Sequence, residues 1–168
     1  KRRALWLGIN LLTAFLGAWV IGRFEDTIQQ LIALAILMPV VAGMGGIAGS
    51  QTLTIAIRGI ALGHIAKTNI KPLLIKELSI GILNGIFWSS VVAIIVIVWF
   101  GQFSLGIIIG ASMIINLIIA ALAGATIPII LKHYGIDPAI AGGVILTTVT
   151  DVVGFITFLG LATIFLID

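Results

Sequence analysis

Five long apolar runs, separated by short charged or Gly/Pro-containing gaps, constrain this chain more than any other feature of its sequence. The runs are Ala4–Ile21, Ile28–Ile57, Leu78–Phe100, Leu105–Leu131 and Ala139–Ile167. A helix needs about 20 apolar residues to cross the hydrocarbon core of a bilayer, so each run can span it, the first only just. The runs lack the alternation of polar and apolar residues that strands of a membrane barrel require. The sequence therefore predicts five transmembrane helices.

The composition excludes the other broad classes of protein. Hydrophobic residues make up 61% of the 168 residues and charged residues only 9%, whereas a soluble domain carries about 25% charged residues. A soluble fold of this size could not hide so much apolar surface from water, and a disordered chain needs the opposite composition. The absence of cysteine excludes disulfides, Cys-ligated zinc and thiol chemistry. We expect an all-α, polytopic membrane helix bundle, in which residues 1–168 form a single transmembrane pore domain.

The distribution of basic residues predicts how the bundle is oriented in a cell membrane. Cytoplasmic loops of membrane proteins are enriched in Lys and Arg. If the N-terminus is cytoplasmic, Arg23 is the one basic residue in an outside segment. The inside segments then contain Lys1, Arg2, Arg3, Arg58, Lys67, Lys71, Lys76 and Lys132. The C-terminus, at Asp168, is then outside, and Gly59–Glu77 is a cytoplasmic connection.

Asp151 is the one ionisable side chain that lies far from both ends of its run. An ionised carboxylate at the bilayer centre costs about 2.5–3.5 kcal/mol on insertion scales. The other runs offer no Lys, Arg or His at similar depth to neutralise it. Three explanations remain: a protonated Asp151 bonded to a neighbour, an ion or proton site, or a water-filled path. We favour the ion or proton site.

The residues around Asp151 are suited to a hard cation. Thr147 lies one turn earlier on the same helix face, and hydroxyl, carbonyl and carboxylate oxygens are the ligands that Mg²⁺, Ca²⁺ and Mn²⁺ prefer. We predict Asp151 and Thr147 as metal ligands, with Gly143, Thr148 and Gly154 as pore-lining candidates. Closed symmetric assemblies are the commonest oligomers, so a homodimer would bring a second Asp151 to the same ion.

The second run contains a Pro and several glycines at membrane depth. Pro39 removes a helical hydrogen bond, and the glycines of Gly43–Gly49 weaken the helix after it. Irregular backbone at this depth persists only inside protein or beside water, so we predict a broken helix that lines a permeation path. The pore-lining candidates here are Gly45, Gly46, Gly49 and Gln51. The alternative is close helix packing through the GxxxG pair Gly45 and Gly49.

Four further polar residues are secondary candidates. Asn10, Asn84 and Asn116 fall within the first, third and fourth runs, where an amide usually bonds to a neighbouring helix. Glu77 directly precedes the third run, so we place it at the cytoplasmic mouth. There it either attracts cations or is a solvated residue at the start of a helix.

Enzyme functions find little support in the sequence. An intramembrane aspartyl protease needs two carboxylates at depth, and this chain offers Asp151 alone. His64 and His133 fall in connections rather than in the runs, and the sequence has no Walker loop, H-E-x-x-H motif or dinucleotide-binding fingerprint. We predict that the protein is not an enzyme.

Several long strings resemble the membrane domain of the MgtE family of magnesium channels. Met38–Gly46, followed by Ala48–Gln51, is similar to the second transmembrane helix of that family. Arg58–Gly63 fits the exit from that helix. Gly135–Ala139 and Thr147–Phe155 are similar to the start and the middle of the fifth helix. The resemblance covers nearly the whole chain.

The resemblance implies a homodimeric, Mg²⁺-permeable channel whose pore lies on the dimer axis between helices two and five. It implies that Asp151 holds a largely hydrated Mg²⁺, helped by backbone carbonyls at the level of Thr147. Members of the family usually have Asn where this chain has Ile47, which leaves open whether side chains of helix two contact the ion. They also carry cytoplasmic regulatory domains before the first helix, which we expect this chain to lack.

We therefore predict a Mg²⁺ channel or transporter that moves hydrated divalent cations into the cytoplasm down their electrochemical gradient. Mn²⁺, Co²⁺ and Ca²⁺ are the other candidate ions. One alternative is a proton- or Na⁺-coupled exporter in which Asp151 alternates between protonated and metal-bound forms. Another, from a different class, is a non-conducting membrane anchor or assembly domain with a protonated Asp151.

Overall fold

The computed structural model of the protein describes residues 2–65 and 69–166, with side chains from residue 4 onward. The helices in these ranges are α1 (Arg2–Gly22), α2 (Glu25–Gln30), α3 (Ala33–Ala61), α4 (Ile70–Phe100), α5 (Phe103–His133) and α6 (Pro138–Leu166). All but the short α2 are long and apolar enough to cross a membrane, which confirms the predicted all-α bundle with five spans. Four residues used in the sequence predictions lie outside the described residues: Lys1, Lys67, Ile167 and Asp168.

Local sequence signals explain where the helices start and stop. α4 ends at Phe100 and is followed by Gly101, whose φ of 67° is a left-handed conformation that glycine adopts without strain. α6 begins at Pro138, a favoured first helical residue because it has no N–H to leave unsatisfied. The Asp137 carboxylate accepts a hydrogen bond from the Ala139 backbone N–H at 3.0 Å, which caps the helix.

Helix α5 occupies the centre of the bundle. It packs against α3, α4 and α6, while α1 packs mainly against α6 at the edge. The largest apolar cluster joins Leu34 and Leu37 of α3, Ile109 and Met113 of α5, and Phe158 of α6, all at 2% exposure or less. These contacts fix α3 beside α6, the two helices that carry the unusual polar residues.

The predicted break in the second span is wrong. α3 runs without interruption through Pro39 and the glycine-rich segment to Ala61. A helix satisfies its backbone groups internally, as the bilayer demands, and Pro39 removes only one of those bonds. Two of the glycines, Gly45 and Gly49, are buried against neighbouring helices, so packing holds the segment helical.

Two predicted helix boundaries also differ from the structure. Residues 28–30 belong to α2, and the chain leaves the helical conformation at Leu31 (φ −136°, ψ 89°) before α3 begins. The third long helix begins at Ile70 rather than at Leu78, because its first two turns carry charged residues that end an apolar run without ending a helix. Lys71, Lys76 and Glu77 are therefore helical residues rather than parts of the predicted Gly59–Glu77 connection.

Candidate cation site

An open groove on the side of the bundle joins α3 to the middle of α6. Its volume is about 770 Å³. Helix α6 contributes Thr147 and Asp151, and all other lining residues belong to α3. Those residues are Ala42, Gly43, Gly46, Ile47, Ser50, Gln51, Thr54 and Ile55.

The two-faced pattern of α3 explains why this helix lines a groove. Leu34, Leu37 and Val41 recur at three- and four-residue steps and are buried, so this stripe faces the core. Ile47 and Thr54 are exposed on the opposite face, in the groove. The same helix therefore packs on one side and offers small and hydroxyl-bearing residues on the other.

Asp151 is half-buried and lines the groove. Within residues 2–65 and 69–166 it has neither a hydrogen bond nor an ion pair. A carboxylate at the middle of a membrane span needs a compensating positive charge, a proton or water. The Asp151 carboxylate can therefore interact with a cation, a proton or water that enters the groove.

Three hydroxyl groups in the groove donate their protons to their own helices. Thr147 Oγ1 donates to the Gly143 carbonyl oxygen at 3.0 Å. Ser50 Oγ donates to the Gly46 carbonyl oxygen at 2.7 Å, and Thr54 Oγ1 donates to the Ser50 carbonyl oxygen at 2.8 Å. With the hydroxyl protons engaged in this way, the oxygen lone pairs remain to accept hydrogen bonds from water or to contact a cation. The groove is therefore suited to a hydrated cation rather than to an anion.

The structure brings together four of the residues singled out from the sequence: Asp151, Thr147, Gly46 and Gln51 all line the groove. Gly143 is exposed and contributes the carbonyl that accepts from Thr147. Thr148 is half-buried and donates to the Val144 carbonyl oxygen at 2.7 Å. These two candidates adjoin the groove without appearing in its lining.

The remaining glycine candidates lie inside the bundle instead. A Cβ atom added at Gly45 would collide with the Asn116 side chain, and one added at Gly154 would lie 2.9 Å from Asn116 Nδ2. A Cβ atom at Gly49 would lie 2.8 Å from Leu146 Cδ1. These three glycines permit close helix packing, which is the alternative that the GxxxG spacing left open.

The secondary polar candidates have separate surroundings. Asn116 is fully buried at the centre of the bundle, which agrees with an interhelical role. Asn10 is exposed beside Trp6 at the junction of α1 and α6. Asn84 is exposed on α4 and lines a smaller cavity together with Glu77. Glu77 itself is only 4% exposed, so it is not the solvated residue at the start of a helix that was one of its two predicted roles.

Sequence reasoning missed two of the hydroxyl groups, Ser50 and Thr54. The signal was available: Gly43, Ile47, Ser50 and Thr54 follow a helical period opposite to the buried stripe of α3. Pro39 and the glycines of the same segment mask this period, because Pro and Gly together are typical of an interrupted helix.

Comparison with known proteins identifies relatives along nearly the whole chain. The family model MgtE, described as a divalent cation transporter, matches residues 38–161. The magnesium transporter MgtE of Bacillus subtilis (strain 168) is 38% identical over 165 residues, which is 98% of this chain. The magnesium transporter MgtE of Thermus thermophilus is 31% identical over 160 residues, or 95% of this chain. The corresponding protein of Enterococcus faecalis is 30% identical over 166 residues, or 99% of this chain.

The matched region is only part of each relative. It makes up 37% of the Bacillus and Enterococcus proteins and 35% of the Thermus protein. The chain thus spans little more than a third of the length of these relatives.

Proposed function

Because this chain belongs to the MgtE family of divalent cation transporters, we propose that it conducts Mg²⁺ across the membrane through the groove of α3 and α6. The resemblance found in the sequence is confirmed at the level of the family, and a transporter family fits the prediction of a non-enzyme. The observation that supports the proposal best is the Asp151 carboxylate, which lines the groove with no hydrogen bond or ion pair from the described part of the chain.

The position of the groove supports a homodimer. Gln51 and Thr54 are exposed in it, and polar side chains at membrane depth are unfavourable against lipid. A second copy packed over this face by a twofold axis would shield the polar groups from lipid. It would also join two half-grooves into one water-filled path, since a twofold contact uses the same patch on both subunits.

Two copies of Asp151 across that axis would present two negative charges to one ion. Mg²⁺ dehydrates reluctantly and is usually held by one or two carboxylates while it keeps several waters. Those waters would donate hydrogen bonds to the carboxylates and to the hydroxyl oxygens of Thr147 and Ser50. The groove would then hold Mg²⁺ through its hydration shell, with Mn²⁺, Co²⁺ and Ca²⁺ as the other candidate ions.

The direction of transport follows from charge and potential. Arg58 near the end of α3, Lys71 near the start of α4 and Lys132 near the end of α5 are exposed at one end of the bundle. Because cytoplasmic segments of membrane proteins are enriched in Lys and Arg, these residues support a cytoplasmic position for that end and for the start of α1. Entry of a divalent cation down an inside-negative potential of 100 mV releases about 4.6 kcal/mol, twice the value of about 2.3 for a single charge. Inward conduction therefore needs no coupled energy source.

The test is Mg²⁺ uptake into proteoliposomes under a clamped inside-negative potential, with and without a pH gradient. We expect uptake by the parent chain that follows the potential and is lost in Asp151→Asn. The matched control is Asp26→Asn, the same chemical change at an exposed position of α2, which should leave uptake unchanged.

Other outcomes would point to other mechanisms. Flux that follows the pH gradient instead of the potential would favour a coupled exporter. A folded parent chain without flux under either condition would contradict the proposal and favour a non-conducting membrane domain. Equal Mg²⁺ flux in the parent and in Asp151→Asn would show that Asp151 does not contribute to conduction.

A further inference from the structure

Glu77, near the start of α4, is a buried acidic residue. The residue is 4% exposed. Its Oε2 accepts a hydrogen bond from Thr52 Oγ1 of α3 at 3.2 Å. Its other oxygen, Oε1, has no hydrogen-bond partner among the residues that the structure describes. The carboxylate thus has a single neutral donor in a buried position, where its charge is costly.

Close helix packing creates this position. A Cβ atom at Gly81 of α4 would lie 2.9 Å from Ala121 Cβ of α5. A Cβ atom at Gly124 of α5 would lie 2.8 Å from Thr52 Cβ of α3. The glycines draw α3 and α4 onto α5, so Glu77, one turn before Gly81, is enclosed where the three helices meet.

A small chamber of about 170 Å³ adjoins the carboxylate. Its polar lining comprises Gln51, Thr52, Lys76, Glu77 and Asn84. A water molecule takes up about 30 Å³ of liquid, so the chamber has room for several waters or for an ion with part of its hydration shell. Its lining offers carboxylate, hydroxyl and amide oxygens, which are ligands for hard cations.

The chamber and the groove share a wall. Gln51 and Ile55 line both cavities. These residues lie one turn apart on α3, between the face that carries Ser50 and the face that carries Thr52. Gln51 and Ile55 are therefore the side chains that the groove and the chamber have in common.

We propose that this chamber is a second divalent-cation site, with Glu77 as its one charged ligand and Thr52, Gln51 and Asn84 as polar neighbours. An isolated buried carboxylate requires a positive counter-charge. Lys76 lines the same chamber, but it is exposed and forms no ion pair with Glu77 among the described side chains. A single carboxylate with retained waters is a normal arrangement for Mg²⁺. The inference rests on the proposed function only in that the groove supplies the ion.

The test counts Mn²⁺ ions bound to the chain in lipid nanodiscs by electron paramagnetic resonance, with Mn²⁺ as the probe for Mg²⁺. The variants are Asp151→Asn, Glu77→Gln and the double variant. We expect Asp151→Asn to retain one class of bound Mn²⁺ and the double variant to lose it. Gln at position 77 can still accept the hydrogen bond from Thr52, so the packing should be preserved, and unchanged thermal unfolding of Glu77→Gln checks this.

Two further variants sharpen the result. Lys76→Gln removes the competing cation and should tighten Mn²⁺ binding in the Asp151→Asn background, whereas Glu25→Gln, at an exposed acid of α2, should have no effect. Mn²⁺ binding to Asp151→Asn that Glu77→Gln leaves unchanged would overturn the proposal, as would the absence of any binding beyond the Asp151 site. Binding does not depend on flux, so a parent chain that binds at Glu77 but conducts nothing would contradict the proposed function alone.

Discussion

Asn116 of α5 donates a hydrogen bond from Nδ2 to the backbone carbonyl oxygen of Val41 on α3, with a length of 2.9 Å. The amide is fully buried and lies where Gly45 of α3 and Gly154 of α6 leave room for it. One side chain of α5 thereby lies against both helices that form the groove, and Gly154 is less than one turn from Asp151. Its Oδ1 is the one fully buried side-chain nitrogen or oxygen atom of the described residues that has no hydrogen-bond partner.

We expect Asn116→Ala to destabilise the bundle and to reduce Mg²⁺ flux, because α3 and α6 lose the group that fixes their spacing. An interhelical hydrogen bond in a membrane protein contributes about 1–2 kcal/mol in model systems, and the void left by the amide adds to the loss. Reversible unfolding in SDS–lipid mixtures measures the stability. Asn10→Ala, at an exposed position of α1, is the control and should stay within about 0.5 kcal/mol of the parent. Equal stability of Asn116→Ala and the parent would show that Asn116 does not hold the helices together.

The glycines around Asn116 predict a second, independent result. In Gly45→Ala the new methyl group would collide with Asn116, so we expect a loss of about 1–3 kcal/mol of unfolding free energy, as for other overpacked cores. Gly160 is also helical, but a Cβ atom there would meet nothing within 4 Å. Gly160→Ala should therefore be neutral or stabilising by up to about 1 kcal/mol. The same unfolding assay compares the two variants, and the reverse order of stabilities would contradict this account of the packing.

The contrast between Gly45 and Gly46 shows what the sequence could and could not predict about the groove. The two residues are adjacent in the chain, yet Gly45 packs against Asn116 and Gly46 lines the groove. Composition and hydropathy predict the helix that carries both. Which face of that helix meets its neighbours depends on the positions of α5 and α6, and those follow from long-range packing. The placement of Thr147 and Asp151 together was predictable, because their spacing of four residues is local to one helix.

Glu77 illustrates the other limit of sequence reasoning. Apolar runs indicate which part of a helix contacts lipid, but α4 extends two turns beyond its run. Charged residues in those turns suggest a loop when hydropathy is the only guide. The burial of Glu77 results from the approach of three helices, so it cannot be predicted from hydropathy along one helix.

The groove also predicts a gain of function at Ile47, which is 62% exposed and lines the groove. In Ile47→Asn an apolar surface is replaced by an amide that can bond to the waters around a passing cation. One added hydrogen bond contributes roughly 0.5–1.5 kcal/mol, and 1.4 kcal/mol corresponds to a factor of ten. We expect a rise in Mg²⁺ flux of up to about tenfold in proteoliposomes. Ile47→Val preserves the apolar character and should conduct like the parent; unchanged or lower flux in Ile47→Asn would indicate that ions do not contact this part of α3.

The proposed dimer can be tested by cross-linking, because the chain has no cysteine of its own. Single cysteines placed along the groove face of α3, in Ile47→Cys, Ser50→Cys and Thr54→Cys, should lie close to their twofold mates. A disulfide forms when the two Cα atoms are about 4.4–6.8 Å apart, so we expect at least one of the three variants to form a covalent dimer under mild oxidation in membranes.

Val98→Cys is the control for that cross-linking experiment. Val98 is a residue of α4, not of the groove, and is 80% exposed, so collisional cross-linking would be at least as easy there. Preferential cross-linking on α3, with the covalent dimer still conducting Mg²⁺, would place the pore between two copies of the groove. Equal cross-linking at Val98 and on α3, or a dimer that forms only through Val98→Cys, would instead argue that the α3 face contacts lipid and that each subunit handles its ion alone.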